Sequence, residues 1–158
     1  MKISHNGVNY MFFWGGMFSN WYITDFTVDD ITYNCGEQYM MYQKALTFND
    51  IKTANEILRE CVPSDQKSLG RKVKNYSDKI WNEVRYDIVK KGLREKFKQS
   101  QFAKSYLLKH KGYKMVEASP VDRIWGIGYD SYNAIQNIDD WGENLLGKIL
   151  TELANEIK

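Results

Sequence analysis

The chain has 158 residues, of which 43% are hydrophobic, 27% charged and 15% aromatic. That length fits one ordinary domain, and this composition is typical of a globular rather than a disordered protein. The net charge of +2 conceals an uneven distribution along the chain. Residues 66–114 carry a net charge of +11, from fifteen basic and four acidic residues, whereas residues 1–65 carry −4 and residues 115–158 carry −5.

Composition and patterning exclude several classes of protein. No apolar run approaches the roughly 18 residues of a transmembrane helix. The first residues lack the apolar stretch of a secretory signal. Two cysteines and two histidines are too few for a disulfide scaffold or a zinc motif. We therefore expect a soluble cytoplasmic protein with no membrane segment, no bound metal and no cofactor, and its oligomeric state stays open.

The first third of the chain predicts short strands, because aromatic and β-branched residues cluster between turn residues. The predicted strands are Tyr10–Phe13, Ile23–Val28 and Ile31–Tyr33. From Gly36 onwards, apolar residues recur at spacings of three and four, which is typical of helices. The predicted helices are Glu37–Phe48, Ile51–Cys61, Asp78–Lys98, Gln101–Lys109 and Gly142–Glu156, with a short turn over Ser64–Leu69.

One more strand is predicted near the end of the chain, at Tyr113–Ala118, where apolar and polar residues alternate. Residues 125–129 and 131–138 are expected to form loops. The strands are too few and too short for a doubly wound parallel sheet. The predicted fold class is therefore α+β, a helix-dominated single domain over residues 1–158 with a small sheet of short strands.

The helix that begins near Gly36 has one unusual feature. Glu37 and Lys44 are two helical turns apart, so they share a face. One interpretation is a carboxylate and an amine that project into one pocket. The other is a solvated stripe of charge, which the high cost of burying either group favours.

Two further groups of residues suggest a nucleotide ligand. Trp81 and Arg85 lie one turn apart, so they can stack a base and hold a phosphate, or form a core tryptophan edged by an arginine. Asp122 precedes Trp125 and two glycines at a strand-to-loop junction, which is a common place for a catalytic group but also for a tight turn. The basic residues 66–114 are either a nucleic-acid footprint or a solvated helical surface.

Motifs spread over about residues 10–150 match one known family in order. They are Phe18-Ser19-Asn20-Trp21, Gly36-Glu37-Gln38-Tyr39-Met40-Met41-Tyr42-Gln43-Lys44-Ala45, Leu69-Gly70-Arg71, Trp81, Arg85, Lys96-Phe97-Lys98-Gln99, Val116-Glu117-Ala118-Ser119, Asp122, Trp125-Gly126-Ile127-Gly128 and Trp141-Gly142-Glu143-Asn144-Leu145-Leu146-Gly147-Lys148. In these motifs the chain resembles the NADAR family (NAD- and ADP-ribose-associated, also called YbiA-like), whose members cleave N-glycosidic bonds of ribose.

The resemblance implies an N-glycosidase with one of two substrate classes. One is the phosphorylated ribosylamino-pyrimidine intermediates of riboflavin synthesis, and the other is ADP-ribose attached to guanine, including guanine in DNA. The alternative is a non-catalytic module that binds ADP-ribose or nucleic acid. The resemblance implies catalytic roles for Glu37, Lys44 and Asp122, and substrate-binding roles for Ser19, Asn20, Arg71, Trp81, Arg85, Trp125 and Gly126.

One departure from the family pattern affects the expected chemistry. Members often have a histidine directly after the motif glutamate, and this chain has Gln38. If that histidine transfers a proton, this chain does so by other means.

Overall fold

A computed structural model describes all 158 residues of the chain. It confirms a helix-dominated α+β fold with short strands. The strands are β1 (Lys2–His5), β2 (Val8–Phe13), β3 (Phe26–Val28), β4 (Ile31–Tyr33) and β5 (Lys114–Glu117). The helices are α1 (Gly36–Thr47), α2 (Ile51–Arg59), α3 (Pro63–Gly70), α4 (Asp78–Gln99), α5 (Gln101–Leu108) and α6 (Leu145–Glu156), and short 3₁₀ helices cover Gly16–Phe18 and Ile135–Asp140.

Contacts within the chain group its residues into two compact units. The first joins both ends of the chain, Met1–Ser19 and Gln101–Lys158, and the second is the continuous segment Asn20–Ser100. The organisation as a single domain stays a prediction. No helix is both long and apolar enough to cross a membrane.

The first unit contains a three-stranded sheet in the order β1-β2-β5. Strand β1 is antiparallel to β2, and β5 is parallel to β2, with Met11 opposite Met115 and Phe12 opposite Val116. The rings of Tyr10 and Phe12 meet the edge of Trp141, and helix α6 packs on β5. An aromatic layer therefore covers one side of this small sheet.

The second unit is built around helix α1. Helices α2, α3 and α4 all pack against it, and the β3–β4 hairpin contacts α1 and α4. Seven consecutive residues, Gly36–Tyr42, are buried. Gly92 of α4 lies against the ring of Tyr39, where an added Cβ would come within 2.2 Å of a ring carbon. A side chain larger than hydrogen would therefore push α4 away from α1 at this crossing.

Some predicted boundaries were wrong, each for a local reason. Strand β1 was not predicted. Residues 63–70 form a helix rather than a turn. Pro63 lies in the first turn of this helix, where a backbone N–H has no partner within the helix, so its absence costs no hydrogen bond. Residues 135–140 are a 3₁₀ helix inside a predicted loop. Helix α6 begins at Leu145 rather than Gly142, because Asn144 adopts a left-handed conformation with φ of 53°.

Candidate active site

The start of α1 places Glu37 inside the protein. Cys35 is the N-cap, and its sulfur accepts a hydrogen bond from the Gln38 main-chain N–H at 3.4 Å. Glu37 lies in the first turn, where the helix dipole stabilises a carboxylate. Only 4% of its surface is exposed. The interpretation as a solvated stripe is therefore wrong for Glu37, whose carboxylate is buried.

Lys44 lies two turns further along α1 and is half-buried. Burial lowers the pKa of its amine below the usual value of lysine, and the nearby charge of Arg71 lowers it further. The carboxylates of Asp78 and Glu37 act in the opposite direction. The Lys44 amine therefore lies within electrostatic range of both the Glu37 carboxylate and the Arg71 guanidinium.

Helix α4 supplies Trp81 and Arg85 on the side that packs towards α1. Trp81 is 5% exposed and Arg85 is 7% exposed. Arg85 thus keeps its side chain inside the unit and does not extend into solvent at the edge of a core tryptophan. Burial and the bond to Asp78 raise the pKa of Tyr76, and the charge of Arg85 opposes that rise, so the Arg85 guanidinium lies near the Tyr76 ring. Lys44, Arg71 and Arg85 together form a cationic region within the second unit.

Asn20 is joined directly to the residue that carries the candidate carboxylate. Its carbonyl accepts the Glu37 N–H at 2.9 Å, and its side-chain oxygen lies against Gly36. An added Cβ at Gly36 would come within 2.7 Å of that oxygen. Asn20 therefore packs directly on the first turn of α1, and this close contact requires glycine at position 36.

Gln38 does not face a reacting group. Its side-chain nitrogen donates to the carbonyls of Ile57, Leu58 and Glu60 at 3.1, 3.3 and 3.0 Å, and its side-chain oxygen accepts the Asn34 N–H at 2.7 Å. These carbonyls lie at the end of α2, where the N–H groups that would continue the helix are missing, and the Ile57 carbonyl also accepts the Glu60 N–H at 3.2 Å. Gln38 therefore joins the start of α1 to the end of α2, which is a structural role.

A second buried amide completes this junction. Gln66 of α3 is fully buried and donates to the carbonyl of Glu60 at 2.8 Å and to the Asn34 side chain at 3.0 Å. Its side-chain oxygen accepts from the Cys35 thiol at 3.1 Å. The first turn of α1 is therefore held by hydrogen bonds from two other helices, which fixes the backbone that carries Glu37.

The first unit holds the other predicted residues. Asp122 is half-buried, and one of its carboxylate oxygens accepts the N–H groups of Ile124 and Trp125, each at 2.8 Å. An added Cβ at Gly126 would come within 2.8 Å of the Glu117 carbonyl, so the loop requires glycine there. Asp122, Trp125 and Gly126 are therefore brought together on one ordered loop. Ser19 ends the 3₁₀ helix Gly16–Phe18 in the same unit.

This loop is fastened to the beginning of α6. Four backbone hydrogen bonds of 2.7 to 3.2 Å join the two segments. The N–H groups of residues 143, 144, 145 and 146 donate, in that order, to the carbonyls of Arg123, Gly126, Ile124 and Trp125. The N–H groups that open a helix otherwise lack partners, so loop and helix satisfy each other. The position of Trp125 is therefore set by backbone hydrogen bonds rather than by side-chain packing alone.

Sequence reasoning missed Tyr76 and Gln66, and it named Lys96 within a motif without predicting its burial. The Tyr76 ring lies under the Lys44 amine, with 4.3 Å between Nζ and the ring centroid. Lys96 of α4 is 1% exposed and donates to the Tyr22 carbonyl at 3.5 Å. A lysine within a run of charged residues gives no sequence signal of burial. No group of three or more histidine, cysteine, aspartate or glutamate side chains is arranged to hold a metal ion.

Comparison with known proteins adds independent information. The family model described as NADAR domain matches residues 12–158. The protein irg-1 of Caenorhabditis elegans is 39% identical over 133 residues, covering 80% of this chain and 62% of that protein. N-glycosidase R617 of Acanthamoeba polyphaga mimivirus is 37% identical over 163 residues, covering 93% of this chain and 95% of that protein.

A solved structure shares the fold. The NMR structure of the Escherichia coli protein YbiA superposes with a TM-score of 0.77 at 30% sequence identity, covering 93% of this chain and 83% of that one. The match therefore extends over both compact units. This chain spans under two thirds of irg-1 but nearly all of R617.

Proposed function

This chain belongs to the NADAR family, and from that premise we propose that it is an N-glycosidase in which Glu37 is the catalytic carboxylate. The observation that carries this proposal is the burial of Glu37 in the first turn of α1, with the Lys44 amine on the same helix. Keeping a carboxylate inside a protein is costly, and such groups concentrate at functional sites. The name of the viral relative, N-glycosidase R617, agrees with this activity.

The reaction requires charge of both signs to be stabilised. When the bond between the anomeric carbon and the base nitrogen breaks, positive charge develops on the sugar and negative charge on the base. The Glu37 carboxylate is suited to the first, and it can also accept a proton from the attacking water. One water is consumed, and the free base and the reducing sugar are the products.

Lys44 has two chemically distinct roles open to it. As an ammonium it can bind an anionic group of the substrate. As a neutral amine it can attack the aldehyde of the opened sugar and form a Schiff base with loss of water, which its lowered pKa favours. Borohydride added during turnover reduces and traps such an adduct, and mass spectrometry locates it. An essential Lys44 without any adduct assigns the electrostatic role.

The cationic region suits a phosphorylated substrate. Lys44, Arg71 and Arg85 offer donors for phosphate oxygens, and arginine pairs with phosphate in a bidentate manner. Trp81 is proposed to contact the base or the sugar. We propose a substrate that bears ribose, phosphate and a base, either a ribosylamino-pyrimidine phosphate or ADP-ribosylated guanine. The roles of Ser19, Asp122, Trp125 and Gly126 stay proposals that rest on the family motifs.

We propose that the enzyme works in a reducing compartment, the cytoplasm. The structure contains two free cysteines, and Cys61 is exposed. An exposed unpaired thiol is common in reducing compartments and uncommon in secreted proteins.

A side-by-side assay tests the activity and separates the substrates. Purified protein receives a ribosylamino-pyrimidine phosphate or DNA that carries ADP-ribosylated guanine, and release of free base and of ADP-ribose is followed by chromatography. We expect turnover of one substrate, and a loss of about 10² to 10⁴ in kcat for Glu37→Gln. Tight binding of either compound without release over hours would instead indicate a binding module, and normal turnover by Glu37→Gln would refute the catalytic assignment.

A further inference from the structure

The Lys44 amine is bound by an aromatic ring to which the family motifs assign no role. Its Nζ lies 4.3 Å from the centroid of the Tyr76 ring. Tyr76 lies in the segment between α3 and α4, one residue before the N-cap of α4. The face of an aromatic ring carries negative charge density and attracts an ammonium group. The distance is well within the range of about 6 Å in which this attraction is significant.

The ring is held in place from two sides. Its hydroxyl donates to a carboxylate oxygen of Asp78, in the first turn of α4, at 2.8 Å. Its ring meets the buried ring of Phe48, the C-cap residue of α1, edge to face at 5.2 Å. Tyr76 is therefore anchored both to α4 and to the end of α1, the helix that carries Lys44.

An aromatic ring has a property that a carboxylate partner would lack. It attracts the ammonium without accepting strong N–H hydrogen bonds, so the donors of Lys44 remain available to substrate oxygens. It also limits the motion of a long side chain, which otherwise samples many rotamers. The contact thus places the amine while leaving its hydrogen-bonding capacity unused.

We propose that Tyr76 is the positioning residue for Lys44: its anchored ring holds the amine at the place where it meets the substrate. This proposal rests on the catalytic role of Lys44 proposed above. The charged groups around the amine act with and against the ring. Asp78 and Glu37 favour the ammonium form, and Arg71 opposes it. The ring adds to the attraction from the direction of α4.

The contact has a spectroscopic signature that does not depend on activity. Protons above an aromatic face are shifted upfield by the ring current, so the ε-methylene of Lys44 is expected upfield of the other lysines. Selective lysine labelling displays this signal, and its absence from the spectrum of Lys44→Arg assigns it. We expect the upfield shift in the wild-type protein and in Tyr76→Phe, and an ordinary shift in Tyr76→Leu.

The same variants are then assayed with whichever of the two substrates the side-by-side assay shows to be turned over. Tyr76→Leu is expected to lower kcat about tenfold, because an attraction of this strength is lost. Tyr76→Phe keeps the ring face and is expected to stay within about threefold of wild type, since it loses only the bond to Asp78. Tyr113→Leu is a matched control: it removes a lysine–tyrosine contact of similar length, 4.5 Å to Lys2, that includes no candidate site residue.

The outcomes separate this proposal from the proposed function. An ordinary shift of the Lys44 ε-methylene in the wild-type protein would overturn the proposal, whether or not the enzyme is active. Wild-type turnover by Tyr76→Leu, with Lys44→Ala inactive, would overturn it while leaving the N-glycosidase intact. Wild-type turnover by Lys44→Ala would overturn the role of Lys44, and the proposal with it.

Discussion

The side-chain nitrogen of Gln38 lies 3.0 Å from the carbonyl oxygen of Glu60, so the residue after the candidate catalytic carboxylate connects α1 to the end of α2. The other end of the same amide accepts the Asn34 N–H. The Gln38 side chain therefore both donates and accepts hydrogen bonds where the start of α1 meets the end of α2. A histidine has a single N–H in its neutral form and a different shape, so it cannot reproduce these bonds.

We predict that Gln38→His destabilises the protein without improving catalysis. The Leu58 carbonyl loses its donor, whereas the carbonyls of Ile57 and Glu60 keep a second one, and such a loss costs about 1 to 3 kcal/mol. Urea unfolding should show a lower midpoint, and kcat per folded molecule should stay within about threefold of wild type. Gln101→His, at an exposed position, is the control for the substitution itself. A gain of tenfold or more in kcat would contradict the structural role of Gln38.

Gly36→Ala tests the close contact between Asn20 and the first turn of α1. The new methyl group would lie 2.7 Å from the Asn20 side-chain oxygen, so Asn20 must move, and its carbonyl holds the Glu37 N–H. We expect a loss of about 1 to 3 kcal/mol in the free energy of unfolding, which is typical of overpacking, together with a lower kcat.

The double variant Gly36→Ala with Asn20→Ala is the internal control. Removing the Asn20 side chain removes the closest clash, so the two effects on stability should be less than additive. Additive losses measured by urea unfolding would show that the strain at Gly36 does not act through Asn20.

Much of the fold follows from local patterns, and the exceptions have physical causes. The periodic helices α1 and α4 were predicted nearly at their observed bounds. Helix α3 was missed as a helix because its buried residues are Gln66 and Gly70, which carry no hydrophobic periodicity. The parallel pairing of β2 with β5 joins the two ends of the chain, and no local pattern specifies such a partner.

In the candidate site, too, local patterns predicted some features and tertiary packing determined the others. The spacing placed Glu37 and Lys44 on one face of α1 and left their role open, and the family resemblance implied that they are catalytic. The structure adds that Glu37 is buried. Tyr76 was not found because a tyrosine in a connecting segment carries no periodic signal. Its relation to Lys44 depends on how α4 packs against α1, which includes the close approach at Gly92. Contacts of this kind are properties of tertiary packing rather than of sequence spacing.

The burial of Lys96 is expected to make the free energy of unfolding depend on pH. Burial lowers its pKa to about 8, from an unfolded value of 10.5. Between these values the unfolded chain binds more protons than the folded one, so this residue makes the free energy of unfolding rise with pH. The shift corresponds to about 3 kcal/mol across that range. Lys96→Met should remove this contribution.

The measurement is the difference in unfolding free energy between wild type and Lys96→Met from pH 7 to 9.5. The difference cancels the contribution of Cys35, whose pKa burial raises and which acts in the opposite direction. The upper limit avoids Tyr39, whose pKa is raised to about 12 and whose unfolded form ionises near 10. A difference that does not change with pH would show that Lys96 is not buried as described.

Two substitutions at Asp122 distinguish a structural role of its carboxylate from a catalytic one. One of its oxygens accepts the N–H groups of Ile124 and Trp125, a task that an asparagine side-chain oxygen performs equally well. Asp122→Asn should therefore keep the loop and the melting temperature, whereas Asp122→Ala should lose both N–H partners and about 1 to 2 kcal/mol of stability. If the charge of Asp122 takes part in the reaction, as the family motif implies, Asp122→Asn lowers kcat by 10² or more at unchanged stability. Wild-type kcat in Asp122→Asn, with a loss confined to Asp122→Ala, would instead assign Asp122 to holding Trp125 in place.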